Sequence, residues 1–173
     1  KISQNFKIMA DLVINHCSSI NELFLNFLKN AEPGQDYFIY SKNKFKGLTK
    51  VVRPRTSNLL KEIKIEGKKG YVWCTFSHDQ IDLNFKNPKV LIRFLKIIVN
   101  SLNHGVRIFR LDAIAYLWKE HGTKCINHTN THNIIKFIRF FSEQLNTESL
   151  IITETNLPEK ENLSYFGNQD EAN

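Results

Sequence analysis

Residues Gly105–Lys119 read GVRIFRLDAIAYLWK. A glycine precedes a short apolar run that ends in Arg110-Leu111-Asp112, followed by the small residues Ala113 and Ala115. As a strand, the run places Val106, Ile108, Arg110 and Asp112 on one face, because side chains alternate with a period of two. An arginine and a carboxylate two apart at the far end of an apolar strand are costly to bury unpaired. They point to a site at the strand's C-terminal end or, more plainly, to a structural ion pair.

The flanking sequence sets that strand in a repeating pattern. Asn87-Pro88 opens a helix, asparagine as N-cap and proline at the first helical position. Leu91, Phe94, Leu95, Ile98 and Leu102 then form one apolar stripe, and Gly105 stands where a helix C-terminal glycine belongs. A second helix, about Thr131–Leu145, carries Ile134, Ile135, Ile138, Phe141 and Leu145 on its buried face. Leu150–Glu154, LIITE, reads as the next buried strand.

Upstream, Phe6–His16 reads as one continuous strand covered on both faces. Ser19-Ile20-Asn21-Glu22 fits a capping box leading into a short helix over Leu23–Leu28. From about Ala31 to Gln80 the pattern dissolves into turns, with short strands expected at Tyr37–Tyr40 and Tyr71–Phe76. Fifty residues is too long for a plain loop, so an inserted subdomain is expected there.

Strands separated by helices at about 40-residue spacing imply a parallel sheet. No Gly-rich phosphate loop follows any strand, which disfavours a nucleotide-binding sheet. The fold class is therefore α/β: a partial (β/α)8 barrel over residues 1–30 and 81–173, with an inserted subdomain over 31–80.

Composition narrows the function. The chain has 173 residues and a formal net charge of +7. Its lysines are spread out and not interleaved with stacking aromatics, so no nucleic-acid partner is expected. No apolar run reaches the ~18 residues of a membrane span. Three cysteines without a CxxC pair argue for a reducing, cytoplasmic setting.

Asn15-His16, Arg110-Leu111-Asp112 and Thr153-Glu154-Thr155-Asn156 end three consecutive sheet strands and would share one barrel rim. With neighbouring strands ~4.8 Å apart, Asp112 and Glu154 could approach the ~5–5.5 Å carboxyl spacing of a retaining glycosidase. Arg110 should favour ionised Asp112. Glu154, beside that charge, should hold its proton as a general acid. Paired carboxylates also bind magnesium in many barrels, an alternative this spacing leaves open.

The motifs ADLVINHCSS, RLDAIAYLWKEHGT and ITETNLPEKENLSYFG resemble those after the third, fourth and fifth barrel strands of the α-amylase superfamily (glycoside hydrolase family 13). VVRPRT and WCTFSHDQIDLNF resemble its sucrose phosphorylase and glucosylglycerate phosphorylase branch. The resemblance implies Asp112 as nucleophile and Glu154 as acid/base. It also implies Arg110 orienting Asp112, His16 contacting the glucosyl ring, and Phe76 and Gln80 lining the sugar pocket from the subdomain called B. Asp11 and Asn15 match the strand-three motif in structural roles.

The implied reaction is glucosyl transfer from a small α-glucoside such as sucrose or glucosylglycerate to inorganic phosphate through a covalent β-glucosyl ester. Hydrolysis or transglucosylation by a member of the same superfamily is the alternative. No metal or other cofactor is implied, since this branch generally lacks the superfamily's calcium. The resemblance covers strands three to five and not the third carboxylate after strand seven, so the fragment alone is expected to be inactive.

Two other readings have sequence support. Cys125, His128 and His132 have C-x2-H-x3-H spacing, with His121 nearby and Cys74 as a possible fourth ligand, which suits zinc. Arg53-Pro54-Arg55 could contact phosphate or substrate. A non-catalytic sugar-binding module is a third possibility, which the pairing of Asp112 with Glu154 disfavours.

Overall fold

The computed structural model describes residues 5–145 and 148–167. The chain forms two compact units. One comprises residues 1–14, 91–115 and 127–173, the other residues 15–90 and 116–126. Residues 15–30 and 81–90, which flank the expected insertion, fall in the second unit. Residues 1–4 and 168–173 of the expected barrel segments lie outside the described residues.

The first unit is built on a three-stranded sheet. β1 (Ile8–Val13) and β8 (Leu150–Thr153) flank β7 (Val106–Asp112), and both pairings are parallel. Gly105 precedes β7 with φ 89° and donates its N–H to Leu102 O at 3.0 Å. It ends α2 (Pro88–Asn103) in a backbone conformation that favours glycine. On α2, Phe94, Ile98 and Leu102 are buried, as the stripe requires.

Register aligns the sheet's side chains. Asp11 lies opposite Arg110 and Val13 opposite Asp112, while Ile108 and Arg110 face Leu150 and Ile152. Phe109 and Leu111 point to the buried face. The other face carries Met9, Val13, Leu150 and Ile152, all exposed.

That exposure corrects the expectation of fully buried strands at Phe6–His16 and Leu150–Glu154. Among the described residues the sheet has only three strands and one covered face. The first of those segments is also not one strand: Ile14-Asn15 interrupts it, and β2 (His16–Ser18) turns away to pair antiparallel with β6 (Gln80–Asp82). α3 (Thr129–Gln144) starts two residues early, with the His128 side chain as its N-cap. Ile134, Ile135 and Ile138 are buried, but Leu145 is exposed just past the helix end.

The second unit holds β2–β6 and a mixed-length antiparallel sheet in the order β3 (Tyr40–Ser41), β5 (Lys68–Trp73), β4 (Leu60–Ile65). β4 was not legible as a strand, since LKEIKI is half charged. It pairs with β5 through a two-residue turn at Glu66-Gly67, where φ is positive at both residues (49° and 77°). That is the backbone a tight hairpin demands. The strand expected at Tyr37–Tyr40 is instead a single bridge from Phe38 to Leu83 followed by β3. β5 ends at Trp73, before Phe76.

α1 (Glu22–Leu28) is capped by Asn21, whose side chain accepts the Leu23 N–H at 3.0 Å. Ser19, the expected cap, instead donates its hydroxyl to Asp79 at 2.6 Å. Phe24, Phe27 and Phe38 form the aromatic core beside α1, with ring centroids 5.1–5.9 Å apart. α4 (Glu159–Leu163) follows β8 in the first unit.

Candidate active site

In the first unit, β7 delivers Arg110 and Asp112, and the chain just beyond β8 delivers Glu154. The parallel ladder continues past β8: Glu154 N–H donates to Leu111 O at 3.0 Å, and Ile114 N–H donates to Glu154 O at 3.2 Å. Those two bonds fix Glu154 alongside Asp112, close enough for each carboxyl group to shift the other's ionisation.

Arg110 sits among three carboxylates. Its Nη1 donates to both oxygens of Asp11, at 2.8 and 2.7 Å, and reaches Asp112 Oδ1 at 3.4 Å. Its Nη2 lies 3.4 Å from Glu154 Oε2. The guanidinium is thus held mainly by Asp11, a partner the strand pattern did not single out.

The charge distribution reverses the sequence expectation. Partial burial and the adjacent Glu154 push Asp112 up to about 6, against the weaker pull of Arg110. Burial also acts to raise Glu154, but hydrogen bonds outweigh it and hold Glu154 below its ordinary value. The Ala113 N–H, at 3.0 Å to Oε2, contributes most, followed by the neighbouring Asp112 carboxyl group and by Asn156 Nδ2, at 3.0 Å to Oε1. When the pair holds a single proton, Asp112 is the favoured site. Arg110 does not reverse this because its short bonds go to Asp11.

Two residues with left-handed backbone support the pair. Ala113, directly after Asp112, has φ 54°, and Asn156, two residues after Glu154, also has φ 54°. Such conformations are uncommon outside glycine and concentrate where side chains must be aimed. The Ala113 amide is aimed at Glu154 by that turn.

The second unit gathers His16, Phe76 and Gln80. The His16 ring is 5.2 Å from Phe76, which also contacts Tyr116 edge-on at 5.4 Å. His16 Nε2 is 2.8 Å from the Gln80 side-chain amide. Burial lowers the His16 pKa, with Asp82 opposing and Lys119 assisting, so the ring is neutral near pH 7. Sequence reading named these three residues separately; folding brings them into contact.

Beneath His16 lies a polar network that sequence reading missed. Lys119 Nζ donates to Asn15 Oδ1 at 2.6 Å and pairs with Asp82 Oδ2 at 2.7 Å, both charged side chains being at most 2% exposed. Asp82 also accepts the Thr75 N–H at 3.0 Å and the Thr75 hydroxyl at 2.5 Å. Burial lowers the Lys119 pKa, and Asp82 acts in the opposite sense. Lys119 closes the opening stretch, but its partner is 37 positions away in sequence, so no local pattern reveals the pair.

The residues with zinc spacing are otherwise engaged. His128 caps α3, His132 stacks on Tyr165 at 4.1 Å, and His121 stacks on Phe45 at 5.5 Å. Cys125 Sγ donates to Glu120 O at 3.3 Å, and Cys74 is buried. Among the described residues no group of three or more His, Cys, Asp or Glu side chains is placed to hold a metal ion. Arg53 Nη1 donates to the Cys74 and Thr75 carbonyls at 3.4 Å, a loop-fixing role. No helix among the described residues is long and apolar enough to cross a membrane.

The α-amylase catalytic domain matches residues 2–173 of this chain. The chain belongs to the α-amylase family. Within it, the chain is 47% identical over 172 residues to the glucosylglycerate phosphorylase of Spirochaeta thermophila, covering 99% of this chain and 29% of that protein. It is 40% identical over 172 residues to the glucosylglycerate phosphorylase of Allomeiothermus silvanus, covering 99% and 31%. The crystal structure of sucrose 6F-phosphate phosphorylase from Thermoanaerobacter thermosaccharolyticum superposes with a TM-score of 0.77 at 27% identity. That match covers 88% of this chain and 34% of the phosphorylase. The chain thus spans less than a third of the length of these two curated α-amylase family relatives.

Proposed function

We propose that this chain is the strand-three to strand-five portion of a retaining α-glucoside phosphorylase, with Asp112 as nucleophile and Glu154 as acid/base. The observation that carries the reading is the Asp112–Glu154 carboxyl pair, each member 3.4 Å from the Arg110 guanidinium on the open face of a parallel sheet. The exposed row Met9, Val13, Leu150 and Ile152 on that face supports a closed barrel, whose interior is filled by just such layers. Residues 1–30 and 81–173 would form the barrel portion, and 31–80 subdomain B.

In the state that reacts, the pair's one proton is on Glu154. Asp112, ionised beside Arg110, attacks the anomeric carbon. The glycosidic bond breaks, its electron pair passes to the leaving oxygen, and that oxygen takes the proton from Glu154. Inorganic phosphate then attacks the β-glucosyl ester, giving its proton to Glu154 and restoring the Asp112 carboxylate. The product is α-glucose 1-phosphate, and both displacements invert, so configuration is retained.

His16, Phe76 and Gln80 would contact the sugar, a role supported by their motif match and their mutual packing. The donor is a small α-glucoside such as glucosylglycerate or sucrose. The relatives' names support this choice and the use of phosphate as co-substrate. A cytoplasmic location fits three cysteines that form no disulfide among the described residues.

The test is to incubate the full-length protein with a panel of α-glucosides, with and without phosphate. Phosphate-dependent release of glucose 1-phosphate is expected. Free glucose formed at the same rate without phosphate would instead identify a hydrolase.

A further inference from the structure

Resting on that assignment of Glu154, we propose that Asn156 is a positioning residue that holds Glu154 Oε1, and that Oε1 is the oxygen carrying the transferable proton. The two Glu154 oxygens are held differently. Oε2 faces the Ala113 backbone N–H at 3.0 Å and Arg110 Nη2 at 3.4 Å. Neither donor can become an acceptor, because one is a peptide N–H and the other a guanidinium. A proton on Oε2 would point at N–H groups.

Oε1 faces Asn156 Nδ2 at 3.0 Å. A side-chain amide offers two donors on nitrogen and two lone pairs on oxygen, and it exchanges them by a half-turn about its last torsion. Asn156 therefore suits both states of Glu154: it donates while the group is a carboxylate, and its oxygen can accept once Oε1 is protonated. The two oxygens are thereby distinguished, with Oε2 remaining the unprotonated carbonyl oxygen throughout the cycle.

The backbone explains why an asparagine does this. At φ 54° Asn156 occupies the left-handed region that asparagine tolerates better than most residues. That turn, two residues beyond Glu154, folds the amide back onto the carboxyl group while leaving the residue exposed to an incoming ligand. The other charged groups around Glu154 are Asp112 and Arg110 from β7, with Asp11 of β1 reaching it through Arg110.

The experiment uses the full-length protein and its Asn156→Gly variant. Glycine adopts φ 54° freely, so the amide is removed without straining the turn, and an unchanged thermal midpoint verifies the fold. Two donors are compared: α-glucosyl fluoride, whose leaving group needs no proton, and an alkyl α-glucoside, whose leaving group does. With the alkyl glucoside kcat/KM should fall about 10–100-fold, part of the 10²–10⁴ that positioned acid catalysis supplies. With the fluoride it should change less than about threefold on the same reasoning.

The alkaline limb of the kcat/KM profile should move to higher pH, since a donor to the carboxylate is lost. Asn156→Ser, which restores a donor, should recover part of both effects. Equal losses on the two donors, or no loss on either, with an unmoved alkaline limb would overturn the inference while leaving the phosphorylase reading intact. A wild-type protein that turns over neither donor would overturn both.

Discussion

Replacing Lys119 by methionine tests whether the buried ion pair anchors the floor beneath His16. Methionine keeps most of the stem's volume and removes the ammonium. Asp82 would retain three hydrogen bonds, from the Thr75 N–H (3.0 Å), the Thr75 hydroxyl (2.5 Å) and Asn15 Nδ2 (3.4 Å), but no cation. Asn15 Oδ1 would lose its 2.6 Å donor. Stripping one partner from a buried pair costs about 3–5 kcal/mol, because the remaining charge is left uncompensated.

The retained hydrogen bonds place this case near the lower figure, about 3 kcal/mol. Local opening of the unit should then become about a hundredfold more frequent, at 1.4 kcal/mol per factor of ten. The assay is amide hydrogen exchange of peptides covering residues 72–83 in the full-length protein. Adding Asp82→Asn to Lys119→Met should return at least about 1 kcal/mol, since the stranded charge is then gone. Exchange in the single variant within about fivefold of wild type, a cost under 1 kcal/mol, would refute the reasoning.

Asp112→Asn should lower turnover of an alkyl α-glucoside by several orders of magnitude while circular dichroism stays that of wild type. With Asp112 pushed up to about 6, the acid limb of kcat/KM for α-glucosyl fluoride, which needs the nucleophile ionised but no proton donor, should fall near that pH. Glu154→Gln removes the neighbouring charge, so the limb, followed with α-glucosyl fluoride, should move to lower pH. On stability the sign is opposite to that of a salt-bridged carboxylate. A raised Asp112 binds more protons folded than unfolded, so its contribution is full below its ordinary pKa and is lost as pH rises through about 6. Gly70→Ala should cost about 1–3 kcal/mol in urea unfolding, because an added Cβ would clash with the Tyr40 ring.

How much of this was legible in the sequence depended on how local each cause is. β7 was read to the residue because glycine, alternation and the Arg–Asp end lie within eight positions. α2 and the buried face of α3 followed from the 3.6-residue period. The β4–β5 hairpin was missed because its strands are lysine-rich, and its turn is set by backbone angles at Glu66-Gly67 rather than by an Asn-Gly signal. The strands at Phe6–His16 and Leu150–Glu154 looked buried because their apolar content is intended for a face that three strands alone leave open.

Within the site, residue types were readable and their pairing was not. Arg110 and Asp112 share a strand, yet Arg110 binds Asp11 across the β1–β7 register, a partner 99 positions away. The lowering of Glu154 draws on hydrogen bonds from Ala113 and Asn156, two left-handed residues that no spacing rule identifies.

The most direct measurement of the central claim is to trap the glucosyl ester. The full-length protein would be incubated with a slow-turnover fluorinated α-glucosyl fluoride, digested, and its peptides weighed. A single glucosyl-sized adduct on the peptide carrying Arg110-Leu111-Asp112, at the Asp112 side chain, is predicted. An adduct on Glu154 or another carboxylate, or steady turnover with no adduct at all, would contradict the account.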